Sequence, residues 1–385
     1  MELTDSAVSK QNFFVVFFIL TIVLAASEVL AQQAPQAASS PAHESSSAAS
    51  PAIKPSAPPS GLDPKTRIPL YETIQEDWSS LEIGASKLQP ETPLVGEVDE
   101  QSEFTRLLVQ VKWRPGDPID LWIILPKGTK KPPAVLYLYN ADQNLSRFRD
   151  DRWCGRATSG GVAAVGFVAA LSGARFHDRP LKQWFVSELQ ESIGSTVHDV
   201  KFILDYLAQR GEVDMNRIGM FGEGSGGTIA ILAAAAEPRI KAVDALDPWG
   251  DWPDFLARSP VVLADPNHDD YLKPEFLRKV VPLDPVKWLP QLKVPVRIQQ
   301  VRQNDSTPIE SKNSIQAAAP KQAEMKRFEA ASDLAAREGH GILFRWIKDR
   351  LQESDKPGAD AGPGAAAAAG KTPLTEMEND HPSHR

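Results

Sequence analysis

The sequence predicts an α/β protein with a mostly parallel central sheet flanked by helices, and three observations predict it. Short apolar runs, "AVLYLYN", "VAAVGFVAAL", "RIGMF", "IKAVDAL", "VPVRIQQV" and "EMKRFEA", have the length and two-sided hydrophobicity of strands buried on both faces. Between them lie segments of helical period. In "ESIGSTVHDVKFILDYLAQRG", Val197, Val200, Ile203, Leu204 and Leu207 share one face and Gly211 supplies a C-terminal stop. The stretch "RIGMFGEGSGG", residues 217 to 227, then runs from strand through tight turn into helix. Strands alternating with helices imply parallel pairing with both faces covered.

Taken in order, the chain opens with an export-like segment. An apolar run from Phe13 to Ala26 is shorter than the roughly 20 residues of a comfortable membrane span and suits the core of a signal peptide. "VLAQQ" places cleavage after Ala31, so residues 1–31 read as a signal peptide of an exported, periplasmic or secreted protein. Glu2 and Asp5 dilute the positive charge expected before such a run, which leaves an uncleaved membrane anchor as the alternative. Residues 32–66 are Ala, Ser, Pro and Gln, too poor in apolar surface to offset chain entropy, and read as a disordered linker. Residues 354–385 form a similar tail.

The domain spans residues 67–353. "FTRLLVQVKW" and "IDLWIILPK", joined by "RPGDP", form an antiparallel hairpin ahead of the parallel strands. Residues 249–290 are long, aromatic and Pro-rich, and read as a lid-like insertion whose Trp249, Trp252, Phe255 and Tyr271 either line an apolar pocket or simply pack.

Composition removes several classes of function. With 50 Asp and Glu against 42 Lys and Arg, the net charge is −8, and no basic face is concentrated enough for nucleic acid. The single cysteine, Cys154, excludes an intramolecular disulfide framework and a cysteine-rich zinc site. "DPNHDD" lacks the Gly and terminal Glu of a calcium loop, so neither metal nor cofactor is expected. The expected partner is a small-molecule substrate or ligand; contact with a membrane is expected only through an uncleaved N-terminal segment.

Chemistry in a parallel sheet gathers at the carboxyl ends of the strands. There the sequence offers a small-residue elbow, Gly222 to Gly227, then Asp305 in "QNDSTP", then His340 between two glycines. Elbow, acid and imidazole in this chain order, with "VHDVKFILDYLAQRGEVDMNRIGMFGEGSGGTIAILAAAAEPRIKAVDAL" around the elbow, resemble the α/β-hydrolase superfamily of the dienelactone-hydrolase and prolyl-oligopeptidase-like type. The resemblance runs from about Phe104 to Leu351. It implies an α/β-hydrolase fold and an ester, or less readily a peptide or lactone, as substrate.

The elbow departs from the family pattern G-x-S-x-G. Aligned on Gly222, Gly226 and Gly227, it places Gly224 where the serine belongs; shifted by one residue, Ser225 becomes the nucleophile and Glu223 replaces the first glycine. The first register keeps more glycines. In it a Ser225 side chain leaves the helix about 100° from the usual nucleophile direction. Three readings follow. In one, Ser225 attacks, His340 is general base, Asp305 orients the ring, and Gly226 with Asn140 stabilises the oxyanion. In the second, the fold is catalytically degenerate and binds a ligand or partner. In the third, activity persists without a covalent step, with His340 activating water in a cleft where Gly224 leaves room. Asp247 and Asp251, in "LDPWGDW", are alternative acids.

Overall fold

The computed structural model of the chain describes residues 76–84, 86, 88–141, 145–175, 185–304 and 306–353. The chain divides into two units, Met1–Pro64 and Lys65–Arg385, and every described residue belongs to the second. The expected signal segment, linker and tail lie outside the described residues. Among the described residues no helix is long and apolar enough to cross a membrane.

Nine strands make one sheet in the order β1-β2-β3-β5-β4-β6-β7-β8-β9. They are β1 (Leu94–Glu100), β2 (Phe104–Val111), β3 (Ile119–Pro126), β4 (Ala134–Leu138), β5 (Ala163–Gly166), β6 (Ile218–Glu223), β7 (Ile240–Leu246), β8 (Val296–Val301) and β9 (Glu324–Phe328). From β5 across β4 and β6 to β9 every pair is parallel, while β1, β2 and β3 join antiparallel and β3 meets β5 antiparallel. The expected hairpin is β2–β3, in register from Phe104 opposite Pro126 to Val111 opposite Ile119.

Burial on both faces explains the unbroken apolar strands. Along β4, Ala134, Leu136 and Leu138 enter the core on one face, and Val135 and Tyr137 enter the core on the other. The second of these cores is closed by α1 (Asp151–Thr158) and α11 (Arg345–Glu353), whose Ile347 and Leu351 are fully buried. The first is closed by α2 (Leu189–Arg210) and α3 (Ser225–Ala236). Helix α2 buries the expected stripe and stops at Gly211, which turns at φ 69° and returns its N–H to Leu207 O. Each such aliphatic side chain contributes about 1.5–3 kcal/mol by leaving water.

The two outer strands differ from expectation in opposite ways. β1, "LVGEVDE", is exposed at every residue but Asp99, so no alternation marks it in the sequence. β9 was expected to be buried on both faces. It is instead the far edge, with Lys326 and Arg327 exposed and Phe328 buried, and such charges suit an edge strand.

Residues 249–290 fold into short helices: α4 (Trp252–Arg258), α5 (Pro260–Leu263), α6 (His268–Tyr271), α7 (Pro274–Val280) and α8 (Pro285–Trp288). Trp249, Trp252, Phe255 and Tyr271 are all buried in the main core, so they pack and do not line an open pocket. Asp284 braces the segment by accepting from the N–H groups of Asp251, Trp252 and Val286, each at 3.0 Å. Helices α9 (Ile309–Ala318) and α10 (Ala331–Gly339) complete the domain.

Candidate functional site: a glycine elbow closed by an asparagine

Strand β6 ends at Glu223, helix α3 begins at Ser225, and Gly224 makes the corner with φ 57° and ψ −120°. Glycine adopts that backbone freely, whereas any other residue pays about 1–3 kcal/mol to hold it. The neighbouring glycines are required by close approach. A Cβ on Gly222 would stand 2.1 Å from Gly226 O, and one on Gly226 would stand 2.0 Å from Leu138 O. Strand, corner and helix are thus pressed against the end of β4, and Gly224 is the middle of the three.

A side chain on Gly224 would have to displace the Asn140 amide. A Cβ there would lie 2.6 Å from Asn140 Oδ1, 2.8 Å from Asn140 Cγ and 3.3 Å from Trp249 Nε1. Asn140, just beyond β4, fills the slot with its amide. Its Oδ1 accepts from the Ser225 N–H and from the Ser225 hydroxyl, both at 3.2 Å. A backbone N–H can face only an acceptor, which sets the orientation of this amide. Asn140 therefore presents its carbonyl oxygen to the elbow, whereas a stabilising donor was expected.

Ser225 is buried, with 1 % of its surface exposed. Its oxygen donates to Asn140 and accepts from the Ala141 N–H at 2.9 Å. Gly226, the other expected contributor to an oxyanion site, lies in the first turn of α3 against the Leu138 carbonyl.

Asp305 lies outside the described residues, but the loop on either side of it is well anchored. Asp247, at the end of β7 with φ 42°, accepts from the Val301 N–H at 3.0 Å and from the Asn304 amide at 2.8 Å. Burial pushes its carboxyl up, against the hydrogen bond from Asn304 and the nearby Lys312 charge. Both oxygens are committed to holding this loop. Asp251 accepts from the Ser314 hydroxyl at 2.5 Å.

His340 does not open the following helix, as the sequence suggests; it caps the C-terminus of α10, and α11 starts at Arg345. The reason is a Schellman closure: Gly341 turns at φ 68°, its N–H returns to Glu338 O, and the Ile342 N–H returns to Arg337 O. The ring is exposed and its Nδ1 lies 2.6 Å from Ala336 O. Among the described residues no hydrogen bond joins Ser225 to His340.

The chain matches no protein-family model and no curated protein. Its fold is similar to solved structures. An acetyl xylan esterase from a Paenibacillus species shares 18 % identity over 68 % of this chain and 89 % of that one, at a TM-score of 0.54. Acetyl xylan esterase 1 from a Thermoanaerobacterium species shares 16 % identity over 67 % and 89 %, at 0.52. An S-formylglutathione hydrolase from Agrobacterium tumefaciens shares 14 % identity over 67 % and 99 %, also at 0.52. The chain has the α/β-hydrolase fold.

In an α/β-hydrolase elbow the oxyanion is held by the N–H of the residue after the nucleophile and by an N–H from the loop after the strand that β4 represents here. The N–H groups that this corner presents are those of Ser225 and Ala141. Both are already spent, on Asn140 and on the Ser225 oxygen respectively. The corner is present as backbone, and these two N–H groups are satisfied internally. Ala141 and Trp249 escaped the sequence reading of this corner, since nothing local in "YNAD" or "DPWGD" reports a contact with residue 224 or 225.

Proposed function

We propose that this α/β-hydrolase fold works without a covalent serine step and serves as a ligand- or partner-binding protein. The observation that carries this reading is the Asn140 amide, which stands 2.6 Å from where a Gly224 Cβ would be and accepts from the adjacent Ser225 N–H. A nucleophile here would need both the space and the donor. The competing reading, Ser225 attacking with His340 as base and Asp305 as its orienting acid, is weakened by the Ser225 hydroxyl: it is buried and engaged as donor and acceptor at once. Oxyanion donors contribute about 10²–10³ in rate each, and neither positional donor is available here. Solved structures of similar fold include an S-formylglutathione hydrolase and acetyl xylan esterases, which supports a small acyl-bearing molecule as the ligand class. Residues 1–31 would export the protein, or anchor it if uncleaved, and residues 32–66 would tether the domain.

The test is a fluorophosphonate probe applied to the full chain, the Ser225→Ala variant and the His340→Ala variant. No labelling of any of the three is expected. Labelling of the parent that disappears in both variants would restore Ser225 as a nucleophile and sink the binding-protein reading.

A further inference from the structure

Away from the elbow, the far edge of the sheet carries an unassigned cleft of about 350 Å³ at the carboxyl ends of β8 and β9. Its walls include Arg302 after β8, Ile309 at the start of α9, and Arg327, Phe328 and Glu329 at the end of β9. The volume falls within the roughly 300–1,000 Å³ typical of small-molecule sites, and strand carboxyl ends are where open α/β sheets place ligands.

Three features make this cleft chemically specific. First, its two arginines lack firm carboxylate partners, whereas Lys312 is held by Val301 O and Asn304 O. Arg327 donates to the neutral Gln316 amide, and among the described residues no carboxylate lies within ion-pair distance of it. Arg302 meets Glu329 at 3.6 Å, with both side chains mostly in water. Second, the cleft is apolar beside those charges. Phe328 is nearly buried, whereas Ile309 leaves 57 % of its surface exposed. Third, the lining is net positive in a chain of net charge −8, with Arg302, Arg327 and Lys312 against Glu329.

We propose that this cleft binds a small monocarboxylate with an apolar or aromatic body, the carboxylate lying between Arg302 and Arg327 and the body against Phe328 and Ile309. Guanidinium forks suit a planar carboxylate, which they can grip with two parallel hydrogen bonds. The site uses β8, β9 and α9, whereas the elbow uses β4, β6 and α3, so neither proposal depends on the other.

Phenylacetate tests it, measured by calorimetry or ligand-observed NMR on the full chain, with phenylacetamide as the neutral isostere and phenyl phosphate as the dianion. Phenylacetate is expected to bind, with phenylacetamide at least about 10-fold weaker, which corresponds to about 1.4 kcal/mol. Arg327→Gln and Arg302→Gln should each weaken phenylacetate about 10-fold, with the double variant losing it; both residues are surface-exposed, so folding is spared. Ser225→Ala should leave binding unchanged. The proposal is overturned if phenylacetate fails to bind at ~10 mM, if the amide binds as well, if phenyl phosphate binds more tightly, or if the double variant retains full affinity.

Discussion

Asn140 Oδ1 is equidistant, at 3.2 Å, from the amide nitrogen and the hydroxyl oxygen of Ser225. One side-chain carbonyl therefore settles two donors and occupies the space beside Gly224. Adding a hydroxymethyl group by Gly224→Ser should destabilise the domain by about 2–4 kcal/mol, from strain at positive φ together with overpacking against Asn140. Asn140→Gly alone should cost about 1–3 kcal/mol through the unpaired Ser225 N–H. The double variant should be more stable than the sum of the two losses, because the overpacking disappears when the amide is removed. Urea unfolding of the four proteins measures the coupling; strict additivity would mean that the amide does not obstruct the slot.

A buried ionic cluster sets the response to acid. Glu76 accepts from Arg114 at 2.6 Å and 2.7 Å and meets His198 Nδ1 at 2.5 Å, while His198 Nε2 reaches Ser80 O at 2.9 Å. Asp199 in turn receives Arg114 and Arg175, so the residues before β1 are fastened to α2 and to the β2–β3 turn. Burial would raise the Glu76 carboxyl, but hydrogen bonds and charge from Arg114 and His198 outweigh it and hold it down, from 4.5 to about 2. Below 4.5 the unfolded chain binds a proton that the folded chain refuses. The contribution of Glu76 is therefore full above pH 4.5 and is lost as the pH falls towards about 2. Glu76→Gln should lower stability near neutrality by about 3 kcal/mol and flatten the acid limb of the stability profile. Denaturant midpoints in steps from neutral pH down to about 3 check both effects.

A second buried pair lies inside the sheet. Arg297 on β8 donates to both oxygens of Asp244 on β7, at 3.0 Å and 2.6 Å, and also to Leu343 O at 2.7 Å, just ahead of α11. Burial raises the Asp244 carboxyl, with Arg297 and Gln299 opposing. Asp244→Ala strands a guanidinium in the core and should cost about 3–5 kcal/mol, whereas Asp244→Leu combined with Arg297→Met should recover part of that loss. The recovery should be incomplete, since Leu343 O loses its donor. Thermal unfolding of the parent and the two variants tests the order.

How much of this was legible in the sequence follows from where each signal resides. The inner strands β4 to β8 and the stripe of α2 announce themselves because burial on two faces, or along one stripe, dictates apolar runs of fixed period. The edges are legible only in part: β1 carries no alternation and gives no signal, and β9 reads as a strand but as one buried on both faces, whereas one side of an edge answers to water. At the elbow, glycine spacing was enough to place Gly224 at the corner. The sense of the Asn140 amide was not readable, because it depends on a partner 85 residues away. The glycine after His340 carries a local signal, a helix stop, yet a histidine flanked by glycines serves a catalytic loop equally well, and only the returns to Arg337 and Glu338 decide.

The exposed β1 has a consequence for how copies of this protein meet. Its outer rim sets Leu94, Val95 and Val98 beside Glu97, Asp99 and Glu100 on a strand with one free side. Asp99 and Glu100 are paired with Arg106 and Lys127, so two such rims brought together would set chiefly the Glu97 carboxylates against each other at strand spacing, a repulsion that salt or acid relieves. Crowded, acidified solutions should therefore be where this domain first stacks into ribbons.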